Sequence, residues 1–224
     1  PRLLGARVIL DLRDLTPEFY ASKYGARQRS WICRLLRLAE RASARVADHV
    51  IVASPLWIDR VAGRSAPRGR CTMIWYSPDP AVWHPRASRR QDGKFVILYP
   101  GTLNWHQGVD VAIRAFPLIL MHISNAELHI RGNGADRPRL EQLARELGVE
   151  SSVRFFDPVP VNQVVEVMAA CDLGIVPKRA AGGFGDEAAS TKIWEFMALG
   201  VPVVASRTRI ESEFFDDRHI RFFE

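Results

Sequence analysis

A glycine-containing stretch followed by a helical pattern carries the residues best suited to bind an anion. The stretch is Gly182–Glu187, and Ala188–Lys192 comes directly after it. Glycines let the backbone approach a ligand closely. Ser190 or Thr191 can cap the helix that follows, so that its first amides and positive dipole end point at an anion. Lys192 adds a full positive charge in the first turn. The pattern predicts a phosphate-binding site.

Two glutamates flank this predicted phosphate site. Glu195 lies one turn inside the helix, where its carboxylate can accept hydrogen bonds from vicinal hydroxyls such as those of a ribose. Glu187 lies eight positions earlier in the loop and can face a sugar beyond the phosphates. The alternative is a surface loop before a capped helix, with two solvated carboxylates, because glycine-rich loops before helices are common.

Two further strand-to-helix turns are candidates for ligand contact. At Pro100–Gly108 a strand meets a helix through a glycine turn, and Thr102, Asn104 or His106 could donate to an anion; an ordinary connection is the alternative. The turn Arg131–Gly134 is only a partial dinucleotide fingerprint, because it lacks the third glycine. The missing third glycine argues against a nicotinamide-dependent oxidoreductase.

The first part of the chain carries two charged features. A strand-like run ends in a cluster of carboxylates that could bind a polar acceptor or form a charge-balanced loop: Asp11, Asp14 and Glu18. The next helical pattern has basic and apolar residues at helical spacing: Arg34, Arg37, Arg41 and Arg45, with Trp31, Leu35, Leu38 and Ala42 among them. Such a helix suits an anionic membrane surface. We favour the alternative, in which its apolar stripe packs on a sheet.

These residues must be positioned by a doubly wound α/β fold, because apolar runs of strand length alternate with helical periods. In the first part the predicted strands are Val8–Leu12, Val50–Ala53 and Cys71–Trp75, and the predicted helices are Ser30–Val46 and Pro55–Ala62. Three prolines within residues 78–85 break regular structure, so 79–93 is the predicted linker between a domain at 1–78 and one at 94–224. In the second domain strands alternate with helices from the strand Phe95–Tyr99 to the strand Pro202–Ala205. Gly148 and Gly200 end two of the predicted helices, Arg137–Leu147 and Thr191–Leu199.

The amino-acid composition excludes several classes of protein. The 224 residues are 47% hydrophobic and 25% charged, which excludes a disordered chain. No apolar run approaches the roughly 20 residues of a membrane span. Three cysteines without paired or metal-ligand spacing suit a reducing compartment. The net charge of +6 favours anionic partners, but basic residues are not interleaved with aromatics as nucleic-acid binding requires. The sequence starts without Met, close to a strand, and we expect it to be a fragment.

The segment from Glu187 to Ser206 resembles the retaining glycosyltransferases of the GT-B fold, in the group that builds polysaccharides, glycolipids and lipopolysaccharide. It carries that family's two glutamates with seven residues between them, and then its Gly-x-Pro-Val-Val strand at 200–204. Residues 100–110 and 128–134 resemble the start of the donor domain and its next strand. The resemblance begins partway through the first domain and stops before the usual C-terminal tail. It implies two Rossmann-like domains, the first only partly present.

The resemblance also implies site roles. Glu195 would bind the ribose hydroxyls and Glu187 a hydroxyl of the donor sugar. The diphosphate would lie against the backbone of Ala188, Ala189, Ser190 and Thr191, with Lys192, and against Gly101 and Thr102. Arg131, Gly132 and Phe155–Val159 would flank the base. The family often has an Arg and a Lys in the first donor-domain loop, where this chain has Thr102 and Gln107; the predicted substitutes are Lys178, Arg179 and Lys192.

The implied activity is transfer of a hexosyl unit from a nucleotide-sugar to a glycan or lipid-linked acceptor with retention. We expect no metal and no cofactor besides the donor, because the sequence has no paired Asp motif. The expected location is cytoplasmic, peripheral to the inner face of the membrane. The alternative function is a nucleotide-binding domain without transferase turnover.

Overall fold

The computed structural model describes residues 5–25, 27, 29–85, 92–180 and 184–224. These residues form two compact units. The first comprises the chain up to Tyr76 together with Ala180–Ala189 and Thr208–Ile210, and the second comprises Ser77–Arg179, Ser190–Arg207 and Glu211–Glu224. The sequence predicted one linear boundary, and the two later segments of the first unit were missed. Gly182, Gly183 and residues 86–91 of the predicted linker lie outside the described residues.

The first unit is built on a parallel sheet in the order β1-β2-β3. Its strands are β1 (Ile9–Leu12), β2 (His49–Val52) and β3 (Cys71–Met73), and its helices are α1 (Thr16–Tyr24), α2 (Trp31–Val46), α3 (Pro55–Arg64) and α7 (Phe184–Glu187). Val50 and Val52 face the core, where Trp57 of α3 stacks on Phe184 at 5.7 Å between ring centroids. The predicted strands are confirmed within two residues, whereas α1 was not predicted.

Arg64 links α1, α2 and α3 through two buried carboxylates. Its guanidinium donates to Glu18 Oε1 at 2.6 Å and to Glu40 Oε2 at 2.6 Å. Burial by itself would raise the pKa of Glu18, but the hydrogen bonds and charge of Arg64 outweigh it and hold that pKa below its usual value. Glu18 is therefore part of the framework, so the acceptor-gripping role considered for it is not supported.

The packing expected for α2 is wrong. Its buried side chains are Cys33, Glu40 and Ala44. Trp31, Leu35 and Leu38, which were expected to pack on a sheet, are 73%, 56% and 59% exposed. The physical reason is the ion pair between Glu40 and Arg64, because it lets the side of α2 that carries Glu40 face the interior.

The second unit has a six-stranded parallel sheet in the order β6-β5-β4-β7-β8-β9. Its strands are β4 (Phe95–Pro100), β5 (Ala126–Arg131), β6 (Val153–Phe156), β7 (Leu173–Val176), β8 (Val203–Ser206) and β9 (Arg221–Phe223). Its helices are α4 (Val109–His122), α5 (Arg137–Glu146), α6 (Val161–Ala169) and α8 (Thr191–Ala198), and α9 (Arg209–Phe214) begins in the first unit. When the strands of this unit are numbered from one in chain order, their order in the sheet is the doubly wound 3-2-1-4-5-6, and its switch point lies between β4 and β7.

Alternate residues of β4 face two separate apolar layers. Ile97 and Tyr99 pack with α4 and α5, whereas Val96 and Leu98 pack with α6 and α8. A strand covered on both faces is apolar without interruption, which is why Phe95–Tyr99 was recognisable in the sequence. Among the helices of the described residues, none is long and apolar enough to span a bilayer.

Candidate functional site

A cavity of about 390 Å³ opens at the carboxyl ends of β4 and β5 in the second unit. The strand ends contribute Gly101, Thr102, Arg131 and Gly132 to its wall. Helix α8 contributes Thr191, Lys192 and Glu195. Seven of the residues predicted from the sequence therefore come together, at the sheet edge where doubly wound folds bind ligands.

Two glycines let the strand ends close around the cavity. A Cβ on Gly101 would lie 2.6 Å from Cε of Lys192, and one on Gly132 would lie 1.8 Å from the carbonyl oxygen of Gly101. Their φ angles of +149° and +154° also favour glycine. The Gly101 amide donates to the carbonyl of Arg131 at 2.8 Å, and the Gly132 amide donates to that of Phe156 at 3.0 Å. The glycines thus shape the cavity floor while their amides extend the sheet ladder.

Lys192 supplies a positive charge to the cavity wall. Its Nζ lies 3.4 Å from Gln107 Oε1 and 5.6 Å from the centroid of the Tyr99 ring. Burial lowers the pKa of Lys192; the Glu195 charge opposes this shift and the Lys178 charge adds to it. Among the described residues, no carboxylate forms an ion pair with Lys192. A bound anion would therefore stabilise its charged form.

The two other cations predicted to neutralise a diphosphate have structural partners. Arg179 donates to Asp110 Oδ1 and Oδ2 at 2.9 and 2.7 Å. Lys178 Nζ lies 3.3 Å from both carboxylate oxygens of Glu211, which is buried. Neither side chain lines the cavity. Of the three predicted substitutes, only Lys192 is placed to contact a ligand there.

Arg131 forms the opposite side of the cavity. Its Nη1 donates to the carbonyl of Asp157 at 3.0 Å, and its guanidinium lies 4.8 Å from the centroid of the Phe156 ring. Its buried Nε has no hydrogen-bond partner. The neighbouring wall is apolar and consists of Pro158, Val159, Val164, Val167 and Met168. An apolar wall beside a planar cation is suited to a flat heterocycle.

Comparison with known proteins identifies the family. Residues 84–223 match the family model described as glycosyl transferases group 1. The chain belongs to this family. This chain is 36% identical over 116 residues to the uncharacterized glycosyltransferase MJ1607 of Methanocaldococcus jannaschii, and the aligned segment covers 52% of this chain and 28% of that protein. It is 34% identical over 146 residues to a D-inositol 3-phosphate glycosyltransferase of Stackebrandtia nassauensis, over 57% of this chain and 31% of the relative.

The fold agrees with this assignment. The crystal structure of Anabaena Alr3699/HepE in complex with UDP and glucose superposes with a TM-score of 0.70 at 20% identity, over 95% of this chain and 56% of that one. The α/β class with parallel, Rossmann-like sheets, predicted from the sequence as GT-B, is confirmed. The chain spans only about a third of the length of the curated relatives named above.

Glu187 belongs to the first unit, together with Ala188 and Ala189. Its buried carboxylate accepts hydrogen bonds from Arg60 Nη1 and Nη2 at 2.7 and 2.6 Å. Its carbonyl oxygen accepts one from Ser54 Oγ at 3.4 Å. The sugar-binding role of Glu187 stays a prediction, and in this structure Arg60 occupies both carboxylate oxygens. Sequence reasoning missed Arg60, because its partner is 127 positions away.

Ser190 precedes α8 at the N-cap position, but its side chain makes no capping hydrogen bond. Its amide donates to Glu211 Oε1 at 2.9 Å, and the Ala188 amide donates to the carbonyl of Phe184 at 2.8 Å. The cap expected from Ser190 is thus absent. The diphosphate contacts predicted for Ala188, Ala189 and Ser190 stay predictions, since two of these amides donate within the protein; Thr191 lines the cavity.

Metal binding has no candidate within the described residues, where no group of three or more His, Cys, Asp and Glu side chains is arranged to hold an ion. The three cysteines, Cys33, Cys71 and Cys171, are buried and form no disulfide with one another.

Proposed function

We propose that the chain transfers a hexosyl unit from a nucleotide-sugar to a glycan or lipid-linked acceptor, with retention at the anomeric carbon. The observation that carries this proposal is the cavity at the carboxyl ends of β4 and β5, with Lys192 in its wall and Glu195 one turn further along α8. The family supports glycosyl transfer, and the similar HepE structure is a complex with UDP and glucose, which supports a nucleoside diphosphate as the ligand.

The cavity divides into a charged end and an apolar end. Lys192 and the positive end of the α8 dipole would hold the diphosphate. Glu195 would accept hydrogen bonds from the ribose hydroxyls. Pro158, Val159 and the face of Arg131 would flank the base. This orientation agrees with the site roles implied by the sequence.

The chemistry proposed for this site is electrostatic stabilisation of a leaving group. The acceptor hydroxyl oxygen bonds to the anomeric carbon as the bond from that carbon to the phosphate oxygen breaks. The nucleoside diphosphate leaves with the bonding electron pair and takes up the acceptor proton. Lys192 is placed to offset the charge that gathers on this leaving group. No protein nucleophile and no metal ion enter the proposal.

A nucleotide-binding panel tests the donor site. Thermal shift with UDP, GDP, ADP and dTDP is expected to show stabilisation by one nucleotide class. Glu195→Gln should lose most of that shift, whereas the exposed Glu150→Gln should keep it. Equal shifts for Glu195→Gln and the unmodified chain would remove Glu195 from the site.

A second measurement tests the reaction. The matching nucleotide-sugar is incubated with candidate acceptors, with and without a chelator, and the anomeric configuration of the product is read by NMR. The proposal expects transfer with retention in both conditions. Nucleotide binding without transfer to any acceptor would favour the alternative, a binding domain without turnover.

The location proposed for the protein is the cytoplasm. Its support is that the three buried cysteines carry thiols, which a reducing compartment preserves.

A further inference from the structure

Glu211 of α9 is a buried carboxylate to which the proposed chemistry gives no role. Only 3% of the residue is exposed. Its Oε1 accepts a hydrogen bond from the Ser190 amide at 2.9 Å, and both of its carboxylate oxygens lie 3.3 Å from Lys178 Nζ. A charge so far removed from water requires such partners. Glu211 therefore connects the segment after β7 to the residue that precedes α8.

The segment after β7 is held against the turn that follows β4. The Arg179 amide donates a hydrogen bond to the carbonyl of His106 at 2.9 Å. A Cβ on Gly108 would lie 1.9 Å from the carbonyl oxygen of Pro177, so the two backbones are in contact there. Lys178 lies between these two contacts. Its backbone is therefore a fixed point near the carboxyl end of β7.

Helix α8 is held to the sheet by apolar packing on its inner side. Phe196 is buried against Gly174 of β7, where a Cβ would lie 2.5 Å from the phenylalanine ring. Apolar packing resists separation but fixes the position along the helix axis less sharply than a directional hydrogen bond does. The Ser190 side chain makes no capping hydrogen bond, and the Ser190 amide donates to Glu211. Lys192 follows two residues later.

We propose that Glu211 is a positioning residue for the cavity. By accepting a hydrogen bond from the Ser190 amide it fixes the start of α8 relative to β7, and it thereby sets the place of Lys192 in the cavity wall. Lys178 neutralises the buried carboxylate of Glu211, which itself makes no contact with the ligand. This inference rests on the proposed function, because the ligand of Lys192 is taken to be a nucleoside diphosphate.

The test removes one acceptor atom from an uncharged pair. Lys178→Met is combined with either Glu211→Gln or Glu211→Met, because replacing both members of a buried ion pair preserves the fold better than removing one. Glutamine keeps an oxygen for the Ser190 amide, and methionine, which has a similar shape, does not. By isothermal titration calorimetry, the Glu211→Met form should bind the stabilising nucleoside diphosphate about tenfold more weakly than the Glu211→Gln form.

A double-mutant cycle separates positioning from a purely structural role. When Lys192→Met is added, the difference between the two forms should disappear, because Glu211 acts through Lys192. A difference that persists undiminished would overturn the proposal. The control is another buried carboxylate with a lysine partner, Glu127 with Lys94, which does not line the cavity. Lys94→Met with Glu127→Gln and Lys94→Met with Glu127→Met should bind the nucleotide equally.

A second measurement needs no ligand. The chain has four lysines, so NMR of ¹³C-labelled lysine can follow the titration of Lys192. Burial lowers the pKa of Lys192. In the Glu211→Met form the start of α8 should admit water, so this pKa should be higher than in the Glu211→Gln form. Glu195 and Tyr99, the other titratable groups near Lys192, are the same in both forms.

The outcomes distinguish this inference from the proposed function. Equal nucleotide affinities, or equal pKa values of Lys192, in the two forms would overturn the positioning role. If the unmodified chain binds no nucleotide, the proposed function fails, and the pKa of Lys192 alone decides on Glu211. Circular dichroism establishes that each form is folded, and Glu211→Leu replaces Glu211→Met if that form is unfolded.

Discussion

Replacing Lys192 with Met should change ligand affinity and stability in opposite directions. The methionine keeps the apolar stem and removes the charge. A charge-assisted hydrogen bond contributes about 1.5–3 kcal/mol, so the affinity for the stabilising nucleoside diphosphate should fall about 10- to 150-fold. The contact of Lys192 Nζ with Gln107 Oε1 is long at 3.4 Å, so the substitution removes only a weak hydrogen bond within the protein.

The effect of this substitution on stability follows from the lowered pKa of Lys192. Below that pKa the folded chain carries a charge that its surroundings disfavour, and the unfolded chain does not bear this cost. Removing the amine should therefore raise the free energy of unfolding without ligand by about 1 kcal/mol. For a chain of this size that is about 2–4 °C in Tm. The difference from the unmodified chain should shrink as pH rises towards the unfolded lysine pKa of about 10.4.

Isothermal titration calorimetry gives the affinity, and calorimetric unfolding without nucleotide gives the stability. Lys94→Met is the control, because Lys94 contacts Glu127 at 3.3 Å and does not line the cavity. An unchanged affinity in Lys192→Met would refute the placement of the charge at the phosphates. A lower affinity with a lower Tm would show that the lysine acts by holding the fold.

Four further outcomes are expected. Gly101→Ala should weaken nucleotide binding about tenfold, because the new methyl group displaces the Lys192 side chain, and should also lower Tm, because the φ of +149° at Gly101 is strained for alanine; calorimetry measures both. Arg131→Met should weaken binding of the nucleotide but leave that of inorganic diphosphate unchanged, and equal losses would contradict its place beside the base. Arg64→Met should destabilise the first unit by about 3–5 kcal/mol in urea unfolding, with the exposed Arg68→Met as control. Folding lowers the pKa of Glu18, so its ion pair with Arg64 stabilises the fold above the unfolded pKa of about 4.3. This stabilisation is lost as pH falls through the folded pKa of Glu18, and acid unfolding followed by circular dichroism measures the loss.

The elements were predictable because their signals are local. An uninterrupted apolar run identifies β4, and Gly148 and Gly200, with φ of +65° and +73°, end the predicted helices α5 and α8. The cavity residues at the strand ends were found because parallel strands present their carboxyl ends on one edge. These features follow from neighbours in sequence and from the rules of parallel sheets.

The failures involve partners that are distant in sequence. The packing of α2 was predicted from its bulkier apolar side chains, but Glu40 faces inward because Arg64, 24 positions later, neutralises it. Likewise Arg179 was expected to be available to a ligand, and Asp110, 69 positions earlier, binds it. Local periodicity cannot reveal which charges cancel across the fold.

The central position of β4 has a consequence for how the second unit opens. Because its alternate side chains anchor two apolar layers, this strand can separate only when both layers are disrupted. Its amides should exchange with solvent only through the largest unfolding events of that unit. The end of the same strand forms part of the cavity wall, so the proposed donor site lies on a strand that resists local opening.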